Sequence, residues 1–124
     1  MRLHHVNIKA PAELLAREKR FFCEVLGLRD GARPQFSRPG YWLYQGDDPI
    51  VHLSESDVAI DRERSGHFDH VAFQSSGLAA FVARLDDAGI DYRQGFVDTC
   101  DMTQVFIQSP TGTGIEVNFV GESI

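Results

Sequence analysis

The sequence predicts an α+β fold made of two βαβββ modules, and three observations predict it. Leu3-His4-His5-Val6-Asn7-Ile8-Lys9 is matched 65 positions later by Phe68-Asp69-His70-Val71-Ala72-Phe73-Gln74. Each of these strings alternates like a strand and is followed by an apolar stripe at helical spacing. Each copy then ends in a pair of strand-like runs separated by turn residues, Trp42–Leu53 aligning with Phe106–Val117 at an offset of 64.

In the first copy, Val6 and Ile8 share one face of a strand spanning Leu3 to Lys9, leaving His5, Asn7 and Lys9 on the other. Pro11 suits the first turn of a helix. Leu14, Leu15, Glu18, Phe21, Phe22, Val25 and Leu26 continue that helix to Gly27, a C-terminal cap. Strands are expected over Gly31–Phe36, Tyr41–Gln45 and Ile50–Ser54, the last two joined by Gly46-Asp47-Asp48-Pro49. In the second copy the strand Phe68–Gln74 precedes a helix capped at Ser75 or Ser76, which carries Leu78, Phe81, Val82 and Leu85 and stops at Gly89. Strands over Asp91–Phe96, Gln104–Gln108 and Gly114–Val120 complete it, with Ser109–Gly114 as the turn. The modules are 1–56 and 67–124 of a single domain, joined by a polar linker within Ser56 to Gly66.

At 124 residues, with 43% hydrophobic and 24% charged side chains, the chain has the composition of one globular domain and not of a disordered segment. A net charge of −6 without a basic, aromatic-interleaved cluster argues against nucleic acid. No run is apolar enough for a membrane span or a signal core. Cys23 and Cys100 lack CxxC spacing and read as reduced thiols, which suits a cytoplasmic protein.

In each module the helix covers one sheet face, so Val6 and Ile8, or Val71 and Phe73, point at it. The opposite face carries His5 and His70 into whatever the sheets enclose. His52 and Glu116 occupy matching places near the final strands, about 46 residues after these histidines. His5, His52, His70 and Glu116 are therefore candidate ligands of one divalent ion. Their donor types suit zinc, iron, nickel, cobalt or manganese without choosing among them. A buried Glu116 between Ile115 and Val117 requires a counter-charge, which a metal supplies. His4 shares its face with Val6 and Ile8 and reads as a helix-side or strand-end residue, and His67 reads as a loop histidine. Asn7, Gln74 and Asn118 are candidates for holding a substrate oxygen. Trp42, Phe106, Tyr44, Phe36 and Met102 are candidates for an apolar wall, and Arg93, Arg33 and Arg38 for steadying an anion.

LHHVNI, the helix end FFCEVLGL, the hairpin YWLYQGDDPIVHL, DHVAF and SPTGTGIEVNF, in this order over nearly the whole chain, resemble the vicinal oxygen chelate superfamily. That group contains glyoxalases, fosfomycin and bleomycin resistance proteins, methylmalonyl-CoA epimerases and extradiol dioxygenases. The resemblance implies paired modules curled around a divalent metal in a homodimer, with modules paired within a chain or exchanged between chains. It also implies that His5, His70 and Glu116 are metal ligands, with His52 at a place where glyoxalases carry Glu and epimerases Gln. The implied activity is glyoxalase-like lyase or isomerase chemistry on a small substrate with vicinal oxygens; its proton transfer needs a base, and Glu116 or a metal-bound hydroxide could serve. The alternatives are an extradiol-type dioxygenase and a non-catalytic protein that sequesters an antibiotic or other small ligand.

Overall fold

The computed structural model describes residues 1–58 and 67–123. Positions 59–66 of the expected linker lie outside the described residues. The chain divides into two compact units, Met1–Glu63 and Arg64–Ile124.

The first unit contains β1 (Val6–Ala10), α1 (Ala12–Glu24), β2 (Arg29–Gly31), β3 (Gly40–Gln45) and β4 (Asp48–Glu55). The second contains β5 (Val71–Ser75), α2 (Leu78–Ala88), β6 (Arg93–Val97), a short 3-10 turn at Asp98–Cys100, β7 (Met102–Gln108) and β8 (Gly114–Val120). The two sheets have the same topology, β1-β4-β3-β2 and β5-β8-β7-β6. In each, the first strand runs parallel to the last, while the hairpin strands are antiparallel. The α+β, βαβββ reading therefore holds for both copies.

Each sheet buries one face under its helix. In the first unit Leu15, Phe22, Leu43, Val51 and Leu53 are almost fully buried; in the second Leu78, Leu85, Val105, Ile115 and Phe119 play this part. Phe81 of α2 lies 5.4 Å from Phe119 of β8, centroid to centroid, so the helix stripe meets the sheet directly. Burial along β1 alternates as the sequence requires, Asn7 and Lys9 being exposed and Val6 and Ile8 half-buried. The face bearing the candidate ligands is thus the one turned away from the helix.

Four expectations are corrected. The strand placed over Gly31–Phe36 is only Arg29–Gly31, because the segment after it closes on itself. Pro34 and Pro39 have no N–H for a ladder, the Tyr44 hydroxyl donates to the Ala32 carbonyl, and the Arg33 guanidinium donates to the Arg38 carbonyl at 3.1 Å. The first strands begin at Val6 and Val71, so His5 and His70 sit one place before the ladder and not inside it. The cap of α1 is Val25; Gly27 adopts φ +77° two residues later, where the chain turns so that Leu28 N–H reaches the Phe22 carbonyl at 3.0 Å.

The fourth correction concerns α2. Its N-cap is Gly77 in the left-handed region, without help from the Ser75 or Ser76 side chains. The Glu122 carboxylate instead accepts from the N–H groups of Gly77 and Leu78 at 2.7–3.1 Å, supplying charge where the helix dipole favours it. The other end behaves as expected: Gly89 is left-handed, and Gly89 and Ile90 donate back to the Asp86 and Leu85 carbonyls. Among the described residues no helix is long and apolar enough to cross a membrane.

Candidate functional site

The two modules present the same backbone frame to different side chains. In the first, the parallel pairing of β1 with β4 sets Asn7 beside His52, and the antiparallel pairing of β3 with β4 sets Trp42 on its other side. His52 is 8% exposed. The ring of His5 stacks on it at 3.8 Å with 13° between planes, and Trp42 stacks on it at 4.2 Å with 11°. Phe36 tilts against Trp42 at 6.1 Å. Burial, and then the neighbouring His5, push His52 below the ordinary imidazole range. Its Nε2 is buried with no hydrogen-bond partner among the described residues. His4 lies at the strand end, before β1, and its Nδ1 is 2.8 Å from His5 Nδ1, so it touches the candidate ligand.

In the second module the corresponding position is Glu116, 6% exposed, between Ala72 of β5 and Phe106 of β7. Its Oε2 is 2.9 Å from His70 Nε2. His70 Nδ1 is 2.7 Å from Asp69 Oδ2. That hydrogen bond, reinforced by the negative charges of Glu116 and Asp69, raises His70 above the ordinary range. The other carboxylate oxygen, Oε1, accepts from Gln104 Nε2 at 2.8 Å. Phe106 approaches His70 edge-on at 6.5 Å, and the Arg93 guanidinium lies over the Phe106 ring at 4.2 Å.

The structure therefore brings His5 to His52 and His70 to Glu116. Among the described residues no group of three or more His, Cys, Asp or Glu side chains is gathered as a metal set. Within each pair the donors suit a divalent ion. Two donors each about 2.1 Å from one ion and at right angles to it lie about 3.0 Å apart, close to the spacing between His70 Nε2 and Glu116 Oε2. The buried, unpartnered Nε2 of His52 also calls for a polar partner.

The remaining candidates are placed as follows. Asn7 is exposed and donates to Ser54 Oγ at 3.0 Å. Asn118 lies opposite both Gln74 and Gln104, and its Oδ1 is buried without a partner among the described residues. Gln74 is exposed, while Trp42 and Phe106 are half-buried beside His52 and Glu116. Arg38 is committed to Asp57 at 2.8 Å, and Arg33 packs over Phe36 at 4.8 Å. Sequence reasoning missed two functional neighbours, Asp69 and Gln104. Asp69 had a signal, a carboxylate immediately before a candidate ligand. Gln104 had only its even spacing with Phe106 on one strand face.

Comparison with known proteins agrees with this architecture. The chain is similar in fold to a glyoxalase family protein from Bacillus anthracis, at TM-score 0.76 and 21% identity, over 97% of this chain and 95% of that one. It is similar to a lactoylglutathione lyase from Agrobacterium tumefaciens, at 0.67 and 16%, over 95% and 92%. It is also similar to a mutant of the fosfomycin resistance protein FosX from Listeria monocytogenes, complexed with Mn(II) and 1S,2S-dihydroxypropylphosphonic acid, at 0.73 and 10%, over 95% and 91%. No curated protein matches in sequence. The family model of the Glyoxalase/Bleomycin resistance protein/Dioxygenase superfamily matches residues 2–117, and the chain belongs to that superfamily.

Proposed function

We propose that the protein is a divalent-metal-dependent lyase or isomerase of the glyoxalase type, acting on a small substrate with vicinal oxygens. The observation that carries this reading is the pair His70 Nε2 and Glu116 Oε2, held 2.9 Å apart by Asp69 on one side and Gln104 on the other. Such backing groups orient ligands in metal sites. His5, His52, His70 and Glu116 would hold the ion, the two pairs being supplied by one chain or by the two chains of a homodimer. A divalent ion bound there supplies Lewis acidity toward the substrate oxygens.

The chain's own groups divide the remaining work. Glu116 takes and returns the substrate proton, being the carboxylate of the donor set. Asp69 keeps the His70 proton on Nδ1 and leaves Nε2 free as a donor atom. Trp42 offers an aromatic face beside His52 and Phe106 one beside Glu116, and Arg93 offers a cation for a substrate carboxylate or phosphonate. Asn7, Gln74 and Asn118 supply amides for further substrate oxygens. The free Cys23 and Cys100 fit a cytoplasmic setting.

Metal analysis of protein purified without chelator, followed by hemithioacetal isomerisation and catechol-dependent oxygen uptake, tests this reading. Isomerisation that needs the metal is expected. Oxygen uptake instead would assign a dioxygenase, and ligand binding without metal or turnover would assign a sequestering protein. Light scattering should give a dimer at micromolar concentration; a monomer would overturn that part.

A further inference from the structure

Glu116 is met differently at its two oxygens. Oε2 faces His70 Nε2, whereas Oε1 accepts from the Gln104 amide at 2.8 Å. Gln104 pairs with Asn118, two places along β8 from Glu116. Its side chain thus reaches the carboxylate diagonally across two strands, a separation that a long side chain spans. Both residues are largely withdrawn from water, Glu116 being 6% exposed and Gln104 half-buried. A charge-assisted bond in such a setting fixes geometry.

The first module shows the contrast. Gly40 occupies the place of Gln104, pairing with Ser54 as Gln104 pairs with Asn118. A Cβ there would collide with the Leu53 carbonyl oxygen and stand 2.9 Å from Arg33 Nη2. No side chain fits at that place, and the donor beside it is His52, whose ring offers one nitrogen at a time to an ion. The amide is present where the candidate ligand has a second oxygen to restrain and absent where it has none.

We propose that Gln104 is a positioning residue that makes Glu116 a one-oxygen ligand, holding Oε1 away so that Oε2 alone meets the metal. Carboxylates bind divalent ions through one oxygen or through two, and the choice alters coordination number and geometry. This inference rests on reading Glu116 as a ligand.

The test is Co(II) titration of the wild-type protein, Gln104→Met, which keeps length without a donor, and Gln104→His, which restores an N–H. Visible absorption reads the coordination geometry. Gln104→Met should weaken Co(II) binding by roughly tenfold or more and should lower and shift the absorption band as both oxygens engage. Gln104→His should recover the wild-type band. A Gln104→Met protein with wild-type band and affinity overturns the proposal while leaving the metal reading intact. Wild-type protein that takes up no Co(II) overturns the metal reading and the proposal together. Should the variants fail to fold, the unmutated Co(II) protein still decides the matter by crystallography: one Glu116 oxygen on the ion is expected, and two would refute the role.

Discussion

Gly114 begins β8 against the residues that precede β5, and replacing it with Ala tests whether backbone proximity positions His70. A Cβ at Gly114 would stand inside 3.0 Å of the Asp69 carbonyl oxygen, a separation that real Cβ atoms essentially never show, and 3.2 Å from His70 Cβ. The first obstacle is backbone, so it does not move aside as a flexible side chain would. Relief requires roughly 0.5 Å or more of main-chain displacement, at about 1–3 kcal/mol for overpacking of this kind. For a chain of this length each kcal/mol is worth about 4 °C, so the melting temperature should fall by about 4–12 °C. The same displacement carries His70 Nε2 from 2.9 Å to the outer edge of hydrogen bonding with Glu116 Oε2, near 3.5 Å. Divalent metal affinity should fall with it. Gly95→Ala is the control, because its added methyl would meet only the Phe106 ring at 3.6 Å and Gln104 Oε1 at 3.7 Å, ordinary contact distances. Thermal unfolding followed by circular dichroism, with Co(II) titration of both variants, reads the two effects. A Gly114→Ala protein that melts and binds metal like the wild type would refute the reasoning.

Removing the Glu122 carboxylate, as in Glu122→Ala, strips the cap from Gly77 and Leu78 and should destabilise the fold by about 1–2 kcal/mol; unchanged urea unfolding would show that the cap carries no weight. Glu116→Gln should abolish turnover and weaken metal uptake, whereas His52→Ala should keep measurable metal through His5, His70 and Glu116; the reverse order in metal titrations would overturn the ranking of ligands. Histidine titration should move stability in opposite senses. His52 is held low, so its contribution is present above about pH 6.5, the ordinary imidazole value, and is lost as pH falls through the depressed one. His70 is held high, so its contribution is present below about pH 6.5 and is lost as pH rises through the raised one. Proton NMR of the metal-free protein at a series of pH values checks both, and two histidines titrating together at the unperturbed value would contradict the contacts at both sites.

What the sequence made legible follows from the physics of each feature. The repeat, the helix stripes and the strand parity are local patterns, and His5, His70, His52 and Glu116 were found because the same pattern occurs twice. Long-range partners leave no such trace. Glu122 caps a helix whose N-cap lies 45 positions earlier, and no local rule connects an acidic residue near the C-terminus to a left-handed Gly77. Gln104 reads as an ordinary strand amide until β7 and β8 are aligned and its reach to Glu116 becomes visible. The short β2 has a local cause: Pro34 denies a ladder donor to the segment that alternation alone extends to Phe36.

Cross-strand neighbours also account for the difference in donor type between two copies of one frame. His52 and Glu116 stand at the same ladder position, opposite Trp42 in one sheet and Phe106 in the other. Trp42 lies almost flat on the His52 ring, 11° from parallel, and helps to bury an imidazole whose charged form that burial disfavours. A carboxylate in that sandwich would be buried facing an indole on one side and Gly40 where an amide would be needed, a placement costing several kcal/mol. At Glu116 the neighbours are reversed in character: Gln104 donates to one oxygen, His70 faces the other, and Asp69 holds His70 in turn. In these two sheets the unit that specifies the donor type at this place is therefore the candidate ligand together with its neighbours on the adjacent strands. A change of ligand at one position alone, without the matching change at position 40 or 104, leaves the incoming group in the wrong surroundings.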